Sequence, residues 1–178
     1  PTLALDLSSL SIDGCVIDGA LSSEECAAII QVAEGSGKFA FWDPEADHSG
    51  RRSVRNADTL EFDDPDFCAA LWQRLMPFLP ECVSFHPENE DRYEPDLDGE
   101  WIATGLNTHL LINRYAAGGH FCPHADGSTL RDFNTRSLYT VLIYLNDCLG
   151  GGTTQLLSSL DGATMMRPVD GARIARPD

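Results

Sequence analysis

Two hydrophobic periods divide this chain, and their order limits the fold more than any other feature of the sequence. Before Gly105 the apolar residues recur at helical spacing. In "SSEECAAIIQVAEGSG", Cys26, Ile29, Ile30 and Ala33 share one helix face, Ser22 and Glu25 have the spacing of a capping box, and Gly35 and Gly37 end the run. "DPDFCAALWQRLMPFLP" predicts a second helix. It starts near Asp64 with Pro65 at the first position, carries Phe67, Leu71, Leu75 and Phe78 as its stripe, and stops at Pro77 and Pro80. After Gly105 the period becomes two. "LNTHLLINRY" places Asn107, His109, Leu111, Asn113 and Tyr115 on one strand face and Thr108, Leu110, Ile112 and Arg114 on the other. "RSLYTVLIYLND" predicts a strand rich in β-branched and aromatic residues that ends at an Asn-Asp turn, and "GGGTTQLL" opens another. A short strand at 15–17 precedes the first helix. Helices followed by strands predict an α+β fold, with N-terminal helices packed on an antiparallel sheet or barrel.

At 178 residues and 43% hydrophobic content, the chain suits one domain spanning 1–178 with a substantial core. Residues 42–56 are polar and carry Pro44, Gly50 and the cluster Arg51, Arg52 and Arg55. That long loop is a candidate substrate lid with the arginines as anchors, set against the plain alternative of a solvated loop. Residues 86–99 read as an exposed acidic loop in which His86 is solvated. A formal charge of -16, with Lys38 the only lysine, excludes the basic surface that a nucleic-acid partner needs. No apolar run is long enough to span a membrane, so no membrane partner is expected. Cys15, Cys26, Cys68, Cys82, Cys122 and Cys148 show no C-x-x-C spacing. They are expected to be mostly buried thiols in a reducing, cytoplasmic compartment, with disulfides the alternative that an even count leaves open.

The densest chemistry lies in "GGHFCPHADGS", where His124 and Asp126 are two residues apart. In extended backbone both side chains leave the same face, roughly 7 Å apart at their bases, within reach of one metal ion. On a helix they would diverge by about 200°. Pro123, Gly118 and Gly119 disfavour a helix here, which also counts against His120 and His124 as a helical zinc pair. Alone, an H-x-D pattern is too common to carry an assignment.

Its surroundings carry more. "GLNTHLLINRYAAGGHFCPHADGS", then "RSLYTVLIYLND", then "GGGTTQLL" resembles the prolyl 4-hydroxylase-like branch of the Fe(II)- and 2-oxoglutarate-dependent oxygenases. The shared marks are R-Y-x-x-G-x-x-F-x-x-H-x-D, a hydrophobic strand ending Y-L-N, and a G-G-x-T turn at Gly151, Gly152 and Thr154. Leu156 stands where a phenylalanine often follows that turn, and the likeness extends weakly into "VIDGALSSEECAAII". The resemblance implies a double-stranded β-helix, or jelly roll, with iron at its open mouth. It implies that His124 and Asp126 are two of three protein ligands, that Tyr144 meets the far carboxylate of 2-oxoglutarate, and that Tyr115 lines the same pocket. The implied reaction hydroxylates a C–H bond of a peptidyl (including prolyl) or small-molecule substrate. It consumes O2, decarboxylates 2-oxoglutarate to succinate, and uses L-ascorbate to restore Fe(II).

One departure matters. The family places a second histidine, followed by an Arg or Lys for 2-oxoglutarate, beyond the G-G-x-T turn, yet no histidine follows His124. None of Arg167, Arg173 and Arg176 sits at the family's position. The expectation is a portion of a longer chain that lacks its C-terminal strands and so leaves strand edges unpaired. The alternative is a complete protein that holds iron weakly. Two rival readings stay open: a non-catalytic jelly-roll binding module without a full iron triad, and a zinc site built from Cys122, His124 and Cys148, whose spacing is irregular.

Overall fold

The computed structural model of the chain describes residues 1–8, 13–41, 54–86, 88, 97–148, 150–156 and 172–174. Strands β1 (Thr2–Asp6) and β2 (Cys15–Asp18) pair antiparallel and lead into helix α1 (Ser23–Gly35). The capping box forms as its spacing predicts: the Ser22 hydroxyl accepts the Glu25 N–H at 3.2 Å, and the Glu25 carboxylate accepts the Ser22 N–H at 2.8 Å. Two donors that the first helical turn leaves unsatisfied are thereby paired.

Helix α2 (Pro65–Leu75) starts where Asp64 accepts the Phe67 N–H at 2.9 Å, and Pro77 lies in the 3-10 turn Met76–Phe78 that closes it. Cys68, Leu71 and Leu75 are its buried residues, while Phe67 and Phe78 of the predicted stripe are only half-buried. The two helices are joined by Arg74, which donates to both Glu25 carboxylate oxygens at 2.8 and 2.7 Å and to the Ala20 carbonyl at 3.0 Å.

Three further strands, β3 (Ala40–Phe41), β4 (Arg55–Asn56) and β5 (Asp58–Asp63), flank the undescribed part of the predicted 42–56 loop. The end of that loop is therefore a strand, because Arg55 and Asn56 find a backbone partner downstream in the chain. After α2 come β6 (Cys82–Phe85), β7 (Gly99–Ile102) and β8 (His109–Arg114), with β6 pairing β7 and a three-stranded sheet in the order β3-β5-β8. β8 is the alternating strand expected: Leu110 and Ile112 are half-buried, and His109 and Leu111 are exposed.

β5 was not foreseen, since Asp58, Glu61 and Asp63 make its sequence acidic. The register with β8 explains it, by placing Asp58 opposite Arg114 and Asp63 opposite His109. Arg114 donates to Asp58 at 2.9 Å and to Glu34 at 2.7 Å, and the His109 ring nitrogens lie 3.5 Å from Glu61 and 3.6 Å from Asp63. Asp58 and Arg114 are opposite charges directly across the ladder, which stabilises it. The 86–99 segment also departs from expectation, because Leu97 is completely buried and its carbonyl accepts the Trp101 indole N–H at 2.7 Å.

Three more two-stranded pairs are present among the described residues. β9 (His120–Phe121) pairs β4, β10 (Leu130–Asp132) pairs β11 (Thr135–Arg136), and β12 (Thr154–Leu156) pairs β13 (Ala172–Ile174), all antiparallel. Among the described residues the fold is thus mixed, with two α-helices and small antiparallel sheets, but five strands precede α2, so the expected order of helices before strands is not observed. Among the described residues these sheets do not close into a barrel. The strand predicted over "RSLYTVLIYLND" does not form: Arg136 ends β11, and the described residues among 137–148 belong to no strand. β-branched and aromatic content favours a strand only where a neighbour accepts its ladder, and no such edge reaches this segment among the described residues. No described helix is long and apolar enough to cross a membrane.

Candidate metal centre

The chain leaves β8 through a tight turn that only glycine fits. Gly118 has φ +79°, and a Cβ on Gly119 would lie 2.8 Å from the Ala116 carbonyl oxygen and 2.9 Å from that of Asn56. This close approach lets β9 meet β4, with Phe121 opposite Arg55 and His120 opposite Asn56. The Cys122 N–H then donates to the Val54 carbonyl at 2.8 Å, which fixes the Cys122 peptide.

His124 is oriented from that peptide. Its Nδ1 lies 2.8 Å from the Cys122 carbonyl oxygen. A carbonyl only accepts, so Nδ1 carries the hydrogen, and in the neutral ring Nε2 presents a lone pair. Phe121 stacks on the imidazole with centroids 3.6 Å apart and planes at 20°, and the Arg55 guanidinium lies 4.8 Å from the Phe121 centroid. Arg55 is only 8% exposed, donates to the Thr59 hydroxyl at 3.1 Å, and also donates to the Asn113 side-chain oxygen. Of the three predicted arginine anchors, Arg55 supports the aromatic stack, while Arg51 and Arg52 lie outside the described residues.

The structure brings His124 and Asp126 together, with Nε2 3.2 Å from Oδ1. The second carboxylate oxygen, Oδ2, accepts a hydrogen bond from the Thr140 hydroxyl at 2.8 Å. A lone pair facing a carboxylate oxygen repels it unless a proton or cation lies between. Ligand atoms on adjacent positions of a six-coordinate ion, each about 2.1 Å from it, are about 3 Å apart. The separation suits an imidazolium–carboxylate ion pair and equally two neighbouring positions of a divalent cation. Both side chains are partly open to solvent, which leaves room for further ligands. The backbone here is not a strand, so convergence comes from the fixed Cys122 carbonyl rather than from pleat geometry.

Among the described residues no three His, Cys, Asp or Glu side chains are grouped to hold a metal. Cys122 and Cys148 accordingly do not complete a site with His124. The Nδ1 of His120 lies 3.3 Å from the Gly118 carbonyl oxygen.

Tyr144 hydrogen-bonds through its hydroxyl to that of Thr154, which joins the Y-L-N segment to the G-G-x-T turn. Tyr115 follows the end of β8 and is 47% exposed. Sequence reasoning missed Thr140 and the support of the imidazole by Phe121 and Arg55. Thr140 had one available signal, a hydroxyl inside the otherwise apolar and aromatic run "YTVLIY". A cleft of about 310 Å³ lies farther along, lined by Leu130, Arg131, Asp132, Phe133 and Arg136. It does not include the His124–Asp126 pair. Comparison with known protein families, curated proteins and solved structures finds no significant match.

Proposed function

We propose that His124 and Asp126 are two protein ligands of a ferrous ion in a jelly-roll, 2-oxoglutarate-dependent dioxygenase that hydroxylates a C–H bond of a peptidyl or small-molecule substrate. The observation that carries this reading is the 3.2 Å approach of Nε2 and Oδ1 while Nδ1 is committed to the Cys122 carbonyl. When bound, Fe(II) with 2-oxoglutarate and O2 supplies the oxidising power that protein side chains lack, and L-ascorbate restores the ferrous state.

The residues around it bind and orient. His124 offers Nε2 in a ring held between a carbonyl and an aromatic face, and Asp126 offers Oδ1. The hydroxyl of Tyr144, at present paired with Thr154, is the group for the far carboxylate of 2-oxoglutarate, with Tyr115 lining the approach. Arg55 steadies the stack beneath His124 and leaves substrate contact to other groups.

Mn(II) titration of the chain, followed by the electron paramagnetic resonance signal of free ion, tests the assignment. Wild-type protein should bind, and His124→Ala and Asp126→Ala should not, while His109→Ala binds normally. Equal binding by wild type and His124→Ala would end the proposal.

A second reading is a non-catalytic jelly-roll binding module, favoured by the lack of a three-residue metal group among the described residues. Succinate formation separates the two. Production from 2-oxoglutarate that depends on Fe(II) and is lost in Asp126→Ala supports the enzyme, and metal binding without succinate supports the module.

A further inference from the structure

We propose that Thr140 is a positioning residue that holds Asp126 as a one-oxygen ligand and so keeps a coordination position open; this rests on the metal reading above. A carboxylate can grip a cation through one oxygen or through both. Here the two oxygens of Asp126 have separate tasks, since Oδ1 faces Nε2 of His124 while Oδ2 receives the Thr140 hydroxyl at 2.8 Å. Turning Oδ2 toward the ion would break that hydrogen bond. The carboxylate therefore occupies one position and leaves another for an exchangeable ligand, such as an oxygen of a keto acid.

The pairing is built by the hairpin between the two residues. β10 and β11 set Leu130 opposite Arg136, and one step outward Thr129 and Ser137 are bonded twice, Ser137 N–H to the Thr129 carbonyl at 3.0 Å and Thr129 N–H to the Ser137 hydroxyl at 2.8 Å. Three residues beyond each of Thr129 and Ser137 lie Asp126 and Thr140, which meet through the Thr140 hydroxyl. Side-chain hydroxyls also fasten the Thr140 segment, through Tyr139 donating to Asp13 at 2.6 Å and Tyr144 bonded to Thr154. The hairpin bonds at Thr129 and Ser137 and the hydroxyl attachments of Tyr139 and Tyr144 thus hold the Thr140 segment beside Asp126 without a bound ion.

The test compares Thr140→Val, Thr140→Ala and Thr140→Ser with the wild-type chain by Mn(II) titration, with thermal melting of each metal-free protein alongside. Removing a group that orients a ligand costs on the order of tenfold or more in metal affinity. Val and Ala should show that loss, Ser should restore binding to about the wild-type level, and all four melts should coincide. A melt lowered in step with affinity would mark a structural role and overturn the proposal. If the wild type binds Mn(II) through His124 and the Val and Ala variants bind equally well, the Thr140 assignment falls and the metal reading stands. If the wild type binds no Mn(II), or His124→Ala binds as well as it does, both fall.

Discussion

Leu71 on α2 and Leu142 beyond β11 are the same side chain in opposite settings, one 2% exposed and the other 61%. Around Leu71 the helix is capped at Asp64, tied to α1 through Arg74, and hydrogen-bonded to the loop before β8, where the Asp64 N–H meets the Thr108 carbonyl at 3.1 Å. Around Leu142 the backbone has no strand partner among the described residues, and hydroxyls of Tyr139, Thr140 and Tyr144 make attachments there. Apolar content alone does not create a core; a second surface must arrive to exclude water. The candidate metal pair depends on the second kind of region, where few buried contacts resist local opening.

Three substitutions probe that contrast. The largest effect belongs to Leu71→Ala, which removes a buried side chain and should cost about 3 kcal/mol in urea unfolding, through lost burial and the cavity left behind. A loss below about 1 kcal/mol would place α2 outside the stabilising core.

A smaller effect, dependent on pH, is expected at the joint between the helices. Hydrogen bonds from Arg74, and then from the Ser22 backbone, hold the Glu25 carboxyl down from 4.5 to about 2. A depressed carboxylate stabilises the fold fully above its unfolded value, and this contribution disappears as pH falls through the folded value. The melting temperature of wild type should therefore fall between pH 4.5 and about 2 more steeply than that of Glu25→Gln. Parallel curves would show that the ion pair contributes nothing in solution, as many exposed pairs do.

The smallest effect belongs to Leu142→Ser, which should leave unfolding stability within about 0.5 kcal/mol, because the side chain already meets water. A loss above about 1.5 kcal/mol would show Leu142 packed in solution and erase the contrast with Leu71.

Legibility followed the range of each signal. The Ser22 capping box, the Asp64–Pro65 helix start and the β8 alternation are written within a few neighbouring residues, and all three form. His124 and Asp126 could be nominated for the same reason, since their spacing is local. β5 was hidden because three acidic side chains in six residues argue against a strand until Arg114 and His109 stand opposite them. Leu97 was hidden in an acidic stretch whose charge says nothing about the one apolar side chain it buries. The run after β11 misled in the other direction, since its composition is that of a strand and the ladder it requires is absent among the described residues.

The sequence by itself determined the helix starts, the alternation of β8 and the closeness of His124 to Asp126, because each follows from backbone geometry over a handful of residues. Tertiary structure alone decided that Arg55 would support a ring stack, that an acidic segment would pair with β8, and that the Thr140 hydroxyl would meet Asp126. Those outcomes depend on which distant surfaces meet. A charge, an edge or a hydroxyl acquires its role only when its partner is in place.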